Sequence, residues 1–339
     1  MVVTLRFASF FLVAALLVSA PARAGTLDEV RTRDLLICGV SQGLPGFSAH
    51  DAAGKWSGID VDVCRALAAA VLKDSEKVRY VELSPKERFT ALQSGEVDVL
   101  SRNTTWTLVR DTALGLNFAG VDYYDGQGFM VRKELGLKSA TELSGARVCV
   151  AIGTTTELNL ADYFRAHGME YRTVNFENQT FAAAAYDAGQ CDAFTADMSA
   201  LASYRTTLKD PSAHVILPEV ISKEPLGPVV RHGDDQWFDL VKWALFAMLQ
   251  AEESGVTKAN LEEMKKSSNP MVRRLLGVTG NMGRSLGLDD QWAVRIIVQV
   301  GNYGEVFDRN IGAKSPLKLP RGLNALWKDG GLQYPMPVR

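Results

Sequence analysis

Residues 58–68 read Gly-Ile-Asp-Val-Asp-Val-Cys-Arg-Ala-Leu-Ala and carry the clearest structural signal in the chain. Apolar side chains recur at helical spacing from here to residue 71, which predicts an amphipathic helix over Ile59–Leu72. Gly58 interrupts regular structure just before this helix, and two aspartates fall in its first turn, where the helix dipole favours negative charge. The apolar run at 35–40 predicts a buried strand ahead of it. A strand followed by an amphipathic helix is a building unit of α/β folds.

The same alternation of strand and helix continues along the chain. Short apolar runs predict strands at 78–83, 97–100, 148–152, 174–176 and 193–195. Helical periods lie between them, at 85–94, 154–166 and 180–188. We therefore expect an α/β fold with two units in tandem, each a mostly parallel sheet flanked by helices. From residue 236 onward longer helical periods predict a helical C-terminal part.

The overall composition is that of an ordinary globular protein. Of 339 residues, 47% are hydrophobic and 22% are charged, which argues against a disordered chain and against a polytopic membrane protein. The 37 basic and 39 acidic residues give a net charge of -2, so nothing indicates a nucleic-acid partner. Because a domain usually holds ~100–200 residues, the length predicts about two domains.

The N-terminus has the order of a secretory signal peptide. Arg6 is followed by an apolar run at 7–18 and then by Ala22-Arg23-Ala24, an A-x-A cleavage sequence. The run is shorter than the ~20 apolar residues that span a bilayer, which argues against the alternative of an uncleaved anchor. We therefore expect residues 1–24 to be a signal peptide and the mature chain to be exported and soluble.

Export would place the four cysteines in an oxidising compartment, where pairing is favoured. Three connectivities are possible. Cys38 lies in the predicted strand at 35–40 and Cys64 on the apolar stripe of the next helix, so packing of the helix on the strand can bring them together. Cys149 and Cys191 fall in two other short apolar runs. We therefore favour Cys38 with Cys64 and Cys149 with Cys191; four buried free thiols are the alternative.

The sequence gives no sign of a metal or a cofactor. The four histidines lie far apart and lack the spacing of metal ligands: His50, His167, His214 and His232. The phosphate-binding pattern G-x-x-x-x-G-K-[ST] and the zinc pattern H-E-x-x-H are both missing. A glycine cluster at 277–287 follows a helical segment without the lysine of a phosphate loop, which favours an irregular loop. We therefore expect the protein to work without a metal ion or cofactor.

Residues 58–68 resemble the signature of the family 3 bacterial extracellular solute-binding proteins, which capture polar amino acids for ABC importers. The resemblance extends through residues 89–99, Phe-Thr-Ala-Leu-Gln-Ser-Gly-Glu-Val-Asp-Val, and through 103–110, 153–156 and 192–197. The C-terminal part is longer than is usual in that family. The resemblance implies a type II periplasmic binding fold, in which two α/β lobes close on a ligand, with a helical C-terminal extension.

The resemblance also implies how the chain divides. Two crossover segments should join the lobes, and glycine and proline place them near 125–128 and 224–227. Lobe 1 would be discontinuous, with residues 25–127 and 228–339, and lobe 2 would be the insert 128–227. The implied protein is a periplasmic monomer that binds L-amino acids and delivers them to an inner-membrane permease and its ATPase.

The ligand site follows from the resemblance residue by residue. An amino acid offers a carboxylate and an ammonium, so its site needs a cationic fork and an anionic acceptor. Arg110 matches the arginine that grips the carboxylate, because a planar guanidinium makes two parallel charge-assisted hydrogen bonds. Asp197 matches the carboxylate that pairs with the ammonium. Four further positions supply hydroxyl, amide or helix N-terminal groups: Thr105, Asn103, Thr155 and Thr156.

Each of these residues also has a purely structural interpretation. Arg110 could be a surface helix arginine, Asp197 a strand-end cap, and the threonines helix caps. Family members often clamp the ligand with aromatic side chains from lobe 1, but here the matching region reads Ser41-Gln42-Gly43. A less shaped pocket of this kind predicts broad specificity.

The main alternative is an enzyme, because some relatives of this fold act on cyclic amino acids or their precursors as cyclohexadienyl or arogenate dehydratases. Such chemistry needs a general acid poised over the substrate hydroxyl. Glu157 and Glu224 could serve, but no constellation of residues points to either. A sensor input domain is a third possibility. We therefore expect a binding protein without catalytic activity.

Overall fold

The computed structural model describes residues 25–339, so the predicted signal peptide lies outside the described residues. The strands, numbered in chain order, are β1 (Leu36–Val40), β2 (Ala49–His50), β3 (Trp56–Ser57), β4 (Val78–Glu82), β5 (Val99–Leu100), β6 (Leu116–Phe118), β7 (Tyr123–Asp125), β8 (Gln127–Arg132), β9 (Arg147–Ala151), β10 (Arg172–Phe176), β11 (Ala193–Asp197), β12 (His214–Ile216), β13 (Glu224–Leu226) and β14 (Val229–Arg231). The helices are α1 (Thr26–Arg33), α2 (Ile59–Leu72), α3 (Arg88–Ser94), α4 (Thr155–Ala166), α5 (Gln179–Asp187), α6 (Met198–Arg205), α7 (Asp235–Glu253), α8 (Leu261–Met264), α9 (Pro270–Leu275), α10 (Met282–Ser285), α11 (Trp292–Gln299) and α12 (Tyr303–Asn310). Among these residues we find no helix with the length and apolar character that a membrane crossing needs.

The first sheet combines strands that are far apart in sequence. Its order is β4-β1-β5-β14-β6. Strand β1 pairs in parallel with β4 and β5, whereas β14 pairs antiparallel with β5 and β6. Every residue of β1 is buried, which explains why its sequence is continuously apolar rather than alternating.

The second sheet has the order β10-β9-β11-β8-β12. Strand β9 pairs in parallel with β10 and β11, whereas β8 pairs antiparallel with β11 and β12. Helices α4 and α5 pack against this sheet. We call the unit built on the first sheet lobe 1 and the unit built on the second sheet lobe 2.

The predicted α/β architecture with two sheet units is confirmed, but each sheet is mixed rather than mostly parallel. The strands that pair in parallel with β1 or β9 are each reached through a helix: β4, β5, β10 and β11. Strands β8 and β14 instead follow directly on the short connecting strands β7 and β13. Without a helical crossover to reverse the chain, β8 and β14 run opposite to their neighbours.

Strands β7 and β13 join the two lobes. They pair antiparallel, with Glu224 opposite Asp125. Thr105 forms a further bridge with Leu226 at the end of this pair. The residue boundaries given above for the lobes, 25–127 with 228–339 against 128–227, stay a prediction.

Helix α2, formed by the stretch quoted first, is the central helix of lobe 1. Its two first-turn aspartates are buried and bonded to other segments. Asp60 accepts the Asn103 N–H at 3.1 and 3.2 Å. Asp62 accepts from Arg309 at 2.7 Å and from Asn310 at 2.6 Å. These residues therefore tie the start of the helix to a neighbouring loop and to α12.

The C-terminal extension, residues 259–339, contains α8–α12 and packs on lobe 1. Helix α11 lies against α2, and Arg295 donates to the carbonyl oxygens of Ala69 and Ala70 at 3.1 and 3.0 Å. Val338 is buried, so the fold continues almost to the last residue. The predicted helical character of this part is confirmed.

The structure pairs Cys38 with Cys64 and Cys149 with Cys191, the connectivity that the sequence favours. The first bridge joins β1 to α2, and the second joins β9 to the start of the β11 segment. Each bridge therefore lies within one lobe. Closing loops of 26 and 42 residues contributes about 3.5 and about 4 kcal/mol in the chain-entropy account.

Gly58 is the position where we expect the fold to be most sensitive to an added methyl group. Its φ is +132°, and a Cβ there would overlap the carbonyl oxygen of Phe47. Gly58→Ala should lower the free energy of unfolding by ~3 kcal/mol or more, through strain and overlap together. Gly54, with φ +78° and nothing within 4 Å of its Cβ position, is the matched control. Gly54→Ala should cost only about 1 kcal/mol. Urea denaturation checks both variants, and equal losses would contradict the steric explanation.

Candidate functional site

A small polar cavity lies between the lobes, where segments following the carboxyl ends of the parallel strands meet. Its lining comes from both lobes: Pro85, Arg88, Arg102, Asn103, Thr105, Thr154, Thr155, Thr156, Gln179 and Asp197. The carboxyl edge of parallel strands is where α/β sheets usually bind ligands. The cavity volume is about 20 Å³, room for about one water molecule. Five of the six predicted site residues line it; the sixth, Arg110, lies close by.

Arg110 is in a π-helical turn, Val109–Ala113, that follows the lobe 1 part of the lining. Its Nη1 donates to the Thr105 carbonyl oxygen at 2.9 Å, and its guanidinium carbon lies 5.2 Å from the centre of the Phe89 ring. Burial lowers the pKa of Arg110, while the carboxylates of Glu224 and Asp197 act in the opposite direction. A desolvated guanidinium with N–H groups to spare suits an anionic ligand group.

Asp197 ends β11 in lobe 2 and is buried. Its side chain does not cap helix α6, which starts at the next residue. The structural interpretation as a cap is therefore wrong. Burial, with the nearby carboxylates of Asp125 and Glu224, raises the pKa of Asp197 well above its usual value, and the positive charges of Arg110 and Arg88 oppose that rise. A cationic ligand group would complete this arrangement.

Glu224, on the connecting strand β13, gathers side chains from both lobes. Its Oε2 accepts from Thr105 Oγ1 at 2.6 Å and from Thr155 Oγ1 at 2.8 Å. Its Oε1 accepts from Asn159 Nδ2 at 2.7 Å and from Ser222 Oγ at 2.6 Å. The two threonine hydroxyls also lie 3.4 Å apart across the cleft. Glu224 therefore holds Thr105 and Thr155 together when the lobes are closed.

The remaining predicted residues contribute mainly through the backbone. Asn103 has φ +35°, and its backbone N–H is bonded to Asp60. Its buried side-chain Oδ1 has no hydrogen-bond partner among residues 25–339. Thr156 is buried, and its carbonyl oxygen accepts from Gln127 Nε2 at 3.0 Å. Thr154, rather than Thr155, caps α4, because its Oγ1 accepts the Glu157 N–H at 3.2 Å.

Asp125, on the connecting strand β7, is a site residue that the sequence did not single out. It accepts hydrogen bonds from the N–H and the hydroxyl of Ser199 and from the Gly126 N–H. Burial raises the pKa of Asp125 to about 6, against the lowering effect of these donors. Asp125 thereby fixes the first turn of α6, immediately after Asp197.

Arg88 is the other residue that the sequence analysis missed. Its side chain is 3% exposed, and its guanidinium lies over the Phe89 ring at 4.7 Å and lines the cavity. Its buried Nε has no hydrogen-bond partner among residues 25–339. Burial and the neighbouring Arg110 and Arg102 lower its pKa well below the usual value. A sequence signal exists, because Arg88 shares a helix face with buried Ala91 and Leu92, an unusual place for a charge.

Residues 39–43 read Gly-Val-Ser-Gln-Gly, which has the G-x-S-x-G pattern of a serine nucleophile. The structure does not give Ser41 that role. Its hydroxyl is buried against the Ser48 hydroxyl at 2.6 Å, and no described histidine is bonded to it. The pattern therefore carries no catalytic arrangement here.

The site combines guanidinium groups on lobe 1 with a carboxylate on lobe 2, across a cavity lined by hydroxyl and amide groups. Such a site can hold a small ligand that carries both charges. Within residues 25–339, no three histidine, cysteine, aspartate or glutamate side chains come together as a metal ion requires. Two closing lobes with this cavity between them define a solute-binding protein.

Comparison with known proteins identifies the family. Residues 36–258 match the bacterial extracellular solute-binding proteins, family 3, and the chain belongs to this family. It is 60% identical over 323 residues to the general L-amino acid-binding periplasmic protein of Rhizobium johnstonii, with 95% of each chain covered. It is 57% identical to the glutamate/glutamine/aspartate/asparagine-binding protein of Rhodobacter capsulatus, with 96% of each chain covered.

A solved structure agrees with the fold over almost the whole chain. It is an ABC transporter periplasmic binding protein from Brucella ovis with glutathione bound, and it is 59% identical. The TM-score is 0.92, with 93% of this chain and 100% of that chain covered. The predicted type II two-lobe fold is thus confirmed, including the extension.

Replacing Arg88 should separate its structural role from a binding role. In the ligand-free protein the buried charge of Arg88 has few hydrogen-bond partners. Arg88→Met should therefore raise the free energy of unfolding of the ligand-free protein by about 1–4 kcal/mol. Arg102→Met is the matched control: Arg102 is equally buried, but its Nε donates to the Leu83 carbonyl oxygen at 2.8 Å and its charge lies near Asp60. That variant should be destabilised. Chemical denaturation of ligand-stripped protein measures both, and a destabilised Arg88→Met would show that Arg88 is a structural residue.

Proposed function

We propose that the protein captures L-amino acids in the cleft between its lobes and delivers them to an ABC importer. The observation that carries this proposal is the placement of two buried charged groups. The Arg110 guanidinium lies on one lobe, and the Asp197 carboxylate, which does not cap a helix, lies on the other. The two charges match the carboxylate and ammonium that every free amino acid carries. The names of the two relatives above support the same ligand class.

In the proposed complex, the ligand carboxylate binds the Arg110 guanidinium and the Thr105 backbone N–H, because the Thr105 hydroxyl already donates to Glu224. Asn103 lies close by. The ligand ammonium binds Asp197. Thr155 and Thr156 begin α4, whose free N–H groups and positive dipole end add to the attraction for the carboxylate. The ligand thereby joins the lobes, and its binding free energy favours the closed form over the open form.

The size of the cavity supports a cycle of opening and closing. At about 20 Å³ it cannot admit an amino acid while the lobes are as close as this. A ligand therefore enters when the lobes separate, and it holds them slightly further apart than they are here. The interlobe hydrogen bond from Ser203 Oγ to the Pro45 carbonyl oxygen, at 2.8 Å, is one of the contacts that must break on opening.

We propose that Arg88 faces the ligand side chain. A guanidinium at this place favours ligands with a carboxylate or amide side chain, in agreement with the name of the glutamate/glutamine/aspartate/asparagine-binding relative from Rhodobacter capsulatus. Glutathione fits the same scheme, because its γ-glutamyl residue keeps a free carboxylate and ammonium on one carbon. The recognition of these shared groups, beside a pocket without aromatic walls at Ser41–Gly43, supports broad specificity.

We also propose that the mature chain acts in the periplasm as a monomer, after removal of residues 1–24, and meets an inner-membrane permease with its ATPase. Lobe 1 would comprise 25–127 with 228–339, and lobe 2 would comprise 128–227. The periplasmic proteins among its relatives support this location.

An enzymatic function finds little support at the site. Neither Glu157 nor Glu224 lines the cavity. Each carboxylate oxygen of Glu224 accepts hydrogen bonds from two donor groups. Glu157 accepts the Gly153 N–H at 3.0 Å. Neither glutamate is therefore placed to protonate a bound hydroxyl compound, and Asp197, the carboxyl group that does line the cavity, is assigned to the ligand ammonium in our proposal. We therefore propose a binding protein without catalytic activity.

Removal of the carboxylate-binding group tests the proposal directly. Arg110→Ala should weaken amino-acid binding by about 2–5 kcal/mol, as loss of one member of a buried charge pair does. Calorimetry on refolded, ligand-stripped protein with glutamate, glutamine, leucine and glutathione gives the measurement. Arg165→Ala removes an exposed arginine of lobe 2 and should bind as the unmodified protein does. Unchanged affinity in Arg110→Ala would refute the site.

The raised pKa of Asp197 makes proton release a second test. A ligand ammonium stabilises the ionised carboxylate and so lowers the pKa of Asp197 in the complex. Binding should therefore release protons at pH values between the lower pKa of the complex and the raised pKa of the ligand-free protein, and affinity should fall as the pH falls through that range. Calorimetry in two buffers of different ionisation enthalpy counts the protons. Asp197→Asn should abolish most of the release, whereas Asp162→Asn, at an exposed position, should not. Equal release in both variants would assign the proton to another group.

A further inference from the structure

The C-terminal extension makes a direct contact with the strand that joins the lobes. Asn324, which is 3% exposed, uses both ends of its side-chain amide on the backbone of Tyr124. Its Oδ1 accepts the Tyr124 N–H at 2.7 Å, and its Nδ2 donates to the Tyr124 carbonyl oxygen at 3.0 Å. The amide thus pairs with β7 as a neighbouring strand would.

A second contact anchors the residues just before Tyr124. The Tyr303 hydroxyl, in α12, donates to the Asp122 carbonyl oxygen at 2.6 Å. Tyr303 and Gln333 are both buried, and Gln333 Nε2 lies 3.4 Å from the same hydroxyl. All the groups that hold β7 in this way come from residues after 258, beyond the part that matches the family.

Asn324 is itself held in place. Arg321 donates from Nε and Nη2 to the Asn324 carbonyl oxygen at 3.0 and 2.8 Å. The same guanidinium pairs with Glu252 at 2.9 Å and lies over the Phe307 ring at 4.7 Å. The amide therefore meets Tyr124 at little cost in side-chain freedom.

On the edge of β7 that faces away from β13, the hydrogen-bond partners change immediately after Tyr124. One edge of β7 pairs with β13 throughout, and up to Tyr124 its other edge is bonded to the extension, as described. From Asp125 on, the partners belong to lobe 2 or to the segment leading out of it: Ser199 for the Asp125 carboxylate, Met198 for the Gly126 carbonyl, and Ser222 for the Gln127 N–H. The change falls within one residue, so bending between the lobes has a defined place in this strand.

We propose that Asn324 is a positioning residue that fixes Tyr124 to lobe 1, confines bending of this strand to 125–127, and thereby sets ligand affinity. The proposal rests on the proposed function for its link to affinity. With the strand fixed up to Tyr124, the open protein samples few lobe arrangements, and closing costs little entropy. Without the amide, bending spreads into β7, the open ensemble widens, and closing costs more.

The test compares Asn324→Ala with Asn281→Ala, the same change in the same extension at an exposed position where the side chain caps nothing. In Asn324→Ala we expect the Tyr124 amide hydrogen to exchange about tenfold faster, which is the effect of losing one hydrogen bond. Because a smaller fraction of the open protein is then ready to close, glutamate affinity should fall by about tenfold, with the dissociation rate nearly unchanged. Small-angle X-ray scattering of ligand-free protein should show a broader range of sizes.

A purely structural role of Asn324 would give a different result. The melting temperature would fall, while glutamate affinity and the ligand-free scattering stayed equal to those of Asn281→Ala; that outcome would overturn the proposal. Faster dissociation with unchanged association would overturn it as well, because it would place the effect in the closed form. If the unmodified protein bound no amino acid, the proposed function would fail, yet exchange and scattering would still decide whether Asn324 confines the bending.

Discussion

The burial of a guanidinium on one lobe and of a carboxylate on the other, with a cavity between the lobes, is the constraint around which the site is organised. The positive charge of Arg110 and the negative charge of Asp197 attract each other across the cavity. Arg110 also donates to the Thr105 carbonyl oxygen, whereas the Asp197 side chain does not cap a helix. Both groups have lost most of their contact with water, which strengthens any interaction with a ligand placed between them. A zwitterion of the right size satisfies both charges at once, and a single ion does not.

The two short connecting strands, β7 and β13, each supply a carboxylate that holds residues around the site in place. Glu224 on β13 holds a threonine from each lobe, and Asp125 on β7 holds the start of the helix that follows Asp197. The bending region and the binding site are therefore parts of one hydrogen-bond network. A change in the lobe angle necessarily changes the hydrogen bonds around the ligand, and a ligand necessarily acts on the angle.

Much of this arrangement could be predicted from the sequence. Helix α2 was delimited correctly because its apolar spacing is regular and a glycine precedes it. The resemblance between motifs singled out Asn103, Thr105, Asp197 and the helix-opening threonines, which line one cavity in the structure; their role in ligand binding stays a prediction. Arg88 was missed because an arginine in a helix is usually exposed, although its position on the same face as Ala91 and Leu92 was a signal of burial. Asp125 and Glu224 acquire their roles through contacts with residues about 70 to 120 positions away, which no local pattern encodes. The antiparallel strands β8 and β14 were missed for a related reason, since their direction depends on the connection between lobes.

The position of β14 inside the first sheet has a consequence for biosynthesis. This strand lies between β5 and β6, yet it is synthesised after the whole of lobe 2. As the chain is synthesised, β8–β12 form a contiguous set that can assemble at once, whereas β5 and β6 must wait for a partner more than a hundred residues behind them. The lobe that begins first is thus completed last, and its unpaired strand edges stay open to wrong pairing until β14 arrives.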